Sequence, residues 1–255
     1  MNIHIITNTL VAALSAGATA VGSAATLSAA PAAETAPADQ PQACILGESV
    51  VCHDGYCGWP TVCRRKTGEL LVVYSGDRTT HVDPWGKVRL VRSADDGKSW
   101  SQPVTLCNTL LDDRDAGILE TRDGALVVNW FNSTAWRTWY GGPVPGSAEA
   151  RHTAKLPWSL CEQERGNFTI RSVDGGKTWG ERAATEGSAP HGGIELKDGR
   201  LLMVGKRAND RDPALLVEES RDGGTTWHVI SHIVPSATEA LVTFCEPPVG
   251  EVSSA

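Results

Sequence analysis

Ser93-Ala-Asp95-Asp-Gly97-Lys-Ser-Trp100, Ser172-Val-Asp174-Gly-Gly176-Lys-Thr-Trp179 and Ser220-Arg-Asp222-Gly-Gly224-Thr-Thr-Trp227 are three copies of one eight-residue pattern, Ser-x-Asp-x-Gly-x-Ser/Thr-Trp. Five positions recur in all three, which makes the pattern an internal repeat and fixes the scale on which the chain is built. Each copy is a turn that closes on itself. The Ser and Asp side chains hydrogen-bond their own backbone, the Gly supplies positive φ, and the Trp folds back over the turn. The pattern therefore speaks for architecture and not for chemistry.

A shorter signal precedes each copy. Thr67-Gly68, Asp123-Gly124 and Asp198-Gly199 each stand before an apolar run, Glu69–Tyr74, Ala125–Asn129 and Arg200–Val204. Gly-containing turns between such runs predict tight hairpins. Strand-like runs also lead into them: Pro60–Arg64, Ala116–Glu120 and Gly192–Leu196. A further strand after the Trp is expected at Trp227–Ser231. The repeat unit is thus a small meander of about four strands. Repeated four-stranded units with little helical periodicity predict an all-β chain, and the arrangement is that of propeller blades.

Counting back nine residues from each turn glycine marks Trp59, Asp115 and Pro190 as equivalent inner-strand starts, and the series continues at Glu246. Three blades and the first strand of a fourth are expected, with the chain stopping inside a hairpin as a truncated propeller would. The second unit is longer, and residues 130–168 are expected to carry a long loop around Gly141–Gly146.

With 23 Lys+Arg against 30 Asp+Glu the formal net charge is −7, and no basic stripe is present, which excludes nucleic acid as the expected partner. Residues 1–40 are rich in Ala, Ser, Thr and Pro and are read as an export signal and linker, too weakly apolar for a membrane span, with folded sequence starting near Ala43. A secreted or periplasmic location follows. Of seven cysteines, Cys44, Cys52, Cys57 and Cys63 fall close together, where disulfides would suit an exported protein, and the odd count leaves at least one thiol over. No zinc spacing, His-Glu-x-x-His or EF-hand loop is present, so no metal or cofactor is expected. Asn132 and Asn167 head glycosylation sequons.

The repeated turn resembles the Asp box of sialidases and related BNR-repeat proteins, over roughly residues 53–252, with Asp95, Trp100, Asp174, Trp179, Asp222 and Trp227 as its structural residues. The resemblance implies a six-bladed propeller with a glycan site on its axis. It implies an exo-acting, retaining glycoside hydrolase in which an Asp is the acid/base and a Glu polarises a Tyr nucleophile. Carried residue by residue, the acid/base falls on Asp83, with Asp77 as its fallback, and the Glu on Glu246. Protonation of the glycosidic oxygen is what such an Asp supplies.

Trp59, His81, Arg114, Asp115 and His191 fall at or near the axial strand starts and are the expected substrate contacts. The pattern departs at one place. Gly58 stands where the family has the first arginine of its carboxylate-binding triad, and Gly cannot form a bidentate fork. The remaining triad arginines and the Tyr lie downstream of Glu246 in the family. The alternative to an enzyme is a propeller that binds a glycan or protein without chemistry, or an inactive fragment. Open blade edges would also invite self-association.

Overall fold

The computed structural model describes residues 3–6, 47–53, 55–207 and 215–233. Among the described residues fifteen strands run in chain order, and four antiparallel sheets contain them. β1 (Ile3–Ile6) pairs with β2 (Glu48–Cys52). The first blade is β3 (Tyr56–Arg64), β4 (Leu70–Arg78), β5 (Lys87–Ser93) and β6 (Val104–Cys107), paired in that order. The second repeats the order with β7 (Asp112–Glu120), β8 (Leu126–Ser133), β9 (Asn167–Ser172) and β10 (Ala183–Thr185). In the third, β11 (Gly187–Ser188) and β12 (Ile194–Glu195) both pair with β13 (Leu201–Arg207), followed by β14 (Leu215–Ser220) and β15 (His228–Ile233).

The hairpins form as the sequence predicts. In each, a three-residue loop is closed by the same two backbone bonds. Arg65 N donates to Glu69 O, Thr121 N to Ala125 O and Leu196 N to Arg200 O, all at 2.8 Å. Gly68, Gly124 and Gly199 sit at φ of 90°, 88° and 89°, the left-handed conformation that only Gly adopts without cost.

The repeated turns also share one geometry. Ser93 Oγ donates to Asp95 Oδ1 at 2.8 Å and accepts from Gly97 N at 2.8 Å. Asp95 then accepts from Ser99 N (2.9 Å) and Ser99 Oγ (2.6 Å). The same set closes around Asp174 with Ser172, Gly176 and Thr178, and around Asp222 with Ser220, Gly224 and Thr226.

The Trp of each turn reaches toward the preceding sheet. Trp227 Nε1 donates to Thr169 Oγ1 of β9 at 3.0 Å, and Trp179 packs on the core shared by the first two blades. Trp100 Nε1 donates to Ser49 Oγ of β2 at 3.1 Å. The strand β2 therefore stands toward the first blade as each blade stands toward the next. Val51 and Cys52 bury against Val72, Tyr74 and Val91 on that face.

Two interfaces hold the blades together. Leu71, Val73, Val88 and Leu90 of the first meet Ala116, Ile118, Val128, Trp130 and Ile170 of the second. Val127 of the second meets Leu201, Met203 and Trp227 of the third. Alternating side chains of β4 and β8 face neighbours on both sides, which explains their unbroken apolar runs.

The segment between β8 and β9 is not the long loop expected from its length. It carries α1 (Ala148–Lys155) and α2 (Trp158–Glu164). Ser147 caps α1 by accepting from Ala150 N. Trp136, Leu156 and Cys161 fold over Leu111 as a small separate core. The helices are short and mostly polar, so the periodicity that would announce them is absent. Among the described residues, no helix is long and apolar enough to cross a membrane.

Candidate functional site

Trp59 and Asp115, counted from the sequence as strand starts, lie inside their strands at equivalent β-bulges. In β3 the register passes from Gly58↔Ser75 to Thr61↔Val73, and in β7 from Arg114↔Phe131 to Gly117↔Asn129. Each inner strand thus carries one extra residue against its partner. The extra residue is left-handed, with φ of 51° at Trp59 and 53° at Asp115. In the third blade the passage from Ser188↔Lys206 to Ile194↔Leu202, between β11 and β12, holds two extra residues, and His191 (φ 68°), one residue beyond the Pro190 that counting selects, is left-handed there together with Gly192 (φ 92°). A non-glycine residue at such a φ carries a backbone cost of about 1–2 kcal/mol. Bulges and strained residues of this kind gather at functional sites, where they aim a side chain.

The three bulges are joined to one another. Thr61 Oγ1 of β3 donates to Ala116 O of β7 at 3.0 Å and lies 3.1 Å from His191 Nδ1. A hydroxyl has one proton, and here Ala116 O takes it. The imidazole Nδ1 therefore donates to Thr61 Oγ1. Asp115 N donates to Ser75 Oγ at 3.1 Å, which holds the second bulge against β4. Gly117 and Gly192 touch backbone to backbone, since a Cβ at Gly117 would lie 2.1 Å from Gly192 N. Asn129 Nδ2 adds a bond to Ala189 O at 2.5 Å.

Around Trp59 lies a cluster of charged and aromatic groups. The Arg114 guanidinium sits 4.4 Å from the indole centroid and that of Arg78 5.2 Å, with the His81 ring at 4.9 Å. Tyr56 Oη is 3.3 Å from His81 Nδ1. Arg78 makes a fork to Asp112 at 2.5 and 2.9 Å, with both side chains fully buried, and donates from NH2 to His81 O at 2.7 Å. Burial pushes the Asp112 carboxyl up to about 6 against the pull of Arg78. This pair welds β4 to β7 and anchors the loop that carries His81 and Asp83.

Arg114 differs from Arg78. Its side chain is only 6% exposed, yet its ionic contacts to Asp112 and Asp115 are long, 3.7 and 3.8 Å, and its Nε has no hydrogen-bond acceptor among the described residues. A buried guanidinium whose Nε has no acceptor is what an oxygen-rich ligand would complete.

Asp83 is 1% exposed. Its Oδ2 accepts from Thr79 N (2.8 Å) and Thr79 Oγ1 (2.6 Å), and its Oδ1 from Trp85 N (2.7 Å). Asp77, the fallback, is exposed, left-handed (φ 59°) and paired with Lys87. It lines a cleft of about 500 Å³ with Trp85, Thr109 and His152. A second cleft of about 370 Å³ lies among the hairpin residues Arg122, Asp123 and Lys197 and shares none of the bulge residues. Glu246 lies outside the described residues.

Tyr56, Thr61, Ser75, Arg78 and Asp112 belong to the cluster but were not singled out from sequence. One signal was available. Asp112-Asp113-Arg114-Asp115 crowds four charges into the start of a strand, and Arg78 ends another that opens on the apolar run Leu70–Tyr74.

Successive antiparallel sheets packed face to face, each with a left-handed residue along its inner strand, are the architecture of a propeller. No protein-family model matches the chain. It is 27% identical over 219 residues to a sialidase of Bacteroides fragilis, covering 74% of this chain and 37% of that protein. Among solved structures it is similar to a protein of unknown function from Dyadobacter fermentans, with TM-score 0.53 and 18% identity over 73% of this chain and 57% of that one. A Hadza microbial sialidase gives TM-score 0.52 and 20% identity over 70% of this chain and 38% of that one. The chain therefore spans less than two thirds of the length of each of these relatives. It is sialidase-like in sequence pattern and in fold.

Proposed function

We propose that the chain forms the axial side of an exported, sialidase-like glycoside hydrolase that acts on the end of a glycan. The observation that carries this is the buried Arg114 guanidinium set against two left-handed residues, stacked on Trp59 and close to Asp115, with the third, His191, tied to the same inner strands through Thr61. A sugar needs an aromatic face, paired donors and paired acceptors, and these residue types supply all three. The repeated rim turns are the Asp boxes of this proposal, and Asp83 its acid/base, with Glu246 supporting a nucleophile. A six-bladed ring and self-association through exposed edge residues such as Val104 of β6 and Ile230 of β15 complete it.

Two observations favour the second reading, a glycan-binding propeller without chemistry. Gly58 removes one arm of the arginine triad, and Asp83 spends both oxygens on its own loop. Turnover of aryl sialosides and neutral aryl glycosides, by the chain and by a protein extended beyond residue 255, separates the two. Aglycone release that Asp83→Asn abolishes while sparing binding supports the enzyme, and binding without release supports the module. Export is tested by N-terminal sequencing of secreted protein. Cleavage near residue 40 would remove β1, which pairs with β2 here.

A further inference from the structure

Cys52 is the last residue of β2 and Cys57 the second of β3. Their side chains are buried, 4% and 0% exposed, and their Sγ atoms lie 3.0 Å apart. The two thiols therefore point at each other from neighbouring strands. Only the short link through His53 and Gly55 separates them, and both of those residues are exposed. The other described cysteines sit elsewhere. Cys63 and Cys107 pack on the core of the first two blades, where burial raises both thiols, Cys107 to about 12. Cys161 accepts from Arg137 in the helical insert at 3.2 Å.

We propose that Cys52 and Cys57 are a modification site, a dithiol that closes to an intramolecular disulfide under a small-molecule disulfide oxidant such as oxidised glutathione. One thiolate of the pair attacks a glutathione sulfur, breaking the glutathione S–S bond and expelling one glutathione thiolate. The second thiolate then displaces the glutathione still attached, forming the Cys52–Cys57 bond. Two electrons and two protons leave the pair, and two glutathione thiols are the product.

The consequence follows from position. The strand β2 covers the open face of the first blade through Val51 and Cys52 and through the Trp100–Ser49 bond. Cys57 directly precedes Gly58 and the Trp59 bulge. A bond between them fastens the covering strand at the point where the chain enters the site. The redox state of the pair thus sets how firmly the Tyr56–Trp59 segment is held, whatever ligand the site takes.

The test is made on the full chain, equilibrated with oxidised glutathione or with dithiothreitol, denatured, alkylated and digested with chymotrypsin. Cleavage after Tyr56 puts the two cysteines on separate peptides. The expected result is a linked peptide pair after oxidation, absent after reduction, and an unfolding midpoint roughly 2–6 °C higher in the oxidised protein. In Cys57→Ser the midpoint should no longer respond to the oxidant. The peptide mapping uses the parent protein and stands even where that variant does not fold. Full alkylation of both cysteines after oxidation, or a link from either to Cys44 or Cys63, overturns the proposal.

Discussion

Every blade carries two special turns, one at its rim and one on its inner strand, and they repeat in opposite ways. At the rim the residues repeat: Ser, Asp, Gly and Trp recur, and each turn satisfies its own polar groups at nearly identical distances. On the inner strand only the backbone repeats. Positive φ recurs at Trp59, Asp115 and His191, while the side chains are an indole, a carboxylate and an imidazole. A turn that exists to hold the fold keeps its side chains, because they are its hydrogen-bond partners. A bulge that exists to present something keeps its conformation and varies what it presents.

The largest expected effect tests what holds the inner region together. Arg78→Met leaves the Asp112 carboxylate buried without its fork, and urea unfolding should show a loss of about 3–5 kcal/mol. A loss under about 1 kcal/mol would mean that Asp112 does not depend on Arg78. At the rim, Ser220→Ala removes the donor to Asp222 and the acceptor for Gly224 N. With Ser220 fully buried, the loss should be about 1–3 kcal/mol.

Protons separate the two regions by sign. Hydrogen bonds from Thr178 hold Asp174 well below the usual carboxylate range, and those from Ser99 bring Asp95 to about 2. Their contribution is complete above pH 4 and is lost as pH falls through the folded values. Burial instead raises Asp112 and Asp113 to about 6. Their contribution is complete below the unfolded value near 4 and is lost as pH rises through 6. Stability should therefore peak between about pH 4 and 5. Asp113→Asn should make the upper limb shallower, leaving the part due to Asp112, and keep the lower one in place, as thermal melts across pH would show.

A smaller effect comes from the one rim turn that departs from its siblings. Asp96 sits at φ 60° where the other two turns have Gly175 and Gly223. Asp96→Gly should raise stability by about 0.5–1 kcal/mol, since its pair with Arg64 is exposed.

The rim was legible in the sequence because its partners lie within a few residues. Ser, Asp and Thr of one turn bond one another, so the pattern contains its own explanation. The hairpins were legible for the same reason. The inner-strand region was legible only in outline. Counting placed Trp59 and Asp115 at equivalent positions and missed His191 by one. It could not show bulges, because Trp gives no signal of positive φ, the enrichment of Asp and His there is too weak to single out one residue, and the bonds that impose it come from other blades. Thr61 meets Ala116 and His191 across 55 and 130 residues, and Arg78 meets Asp112 across 34. Gly117 and Gly192 read as ordinary strand glycines until the backbones are seen to touch.

The difference between rim and inner strand rests on the inner bulges being held against backbone preference for what they present. The most direct measurement is the unfolding free energy of His191→Gly, which relieves the left-handed residue and removes an exposed side chain with one bond to Thr61. Relief of the backbone and loss of that bond should nearly offset. Stability should match the parent within about 0.5 kcal/mol or exceed it. A variant less stable by more than about 1 kcal/mol would show that His191 is kept for the fold, and would contradict the distinction.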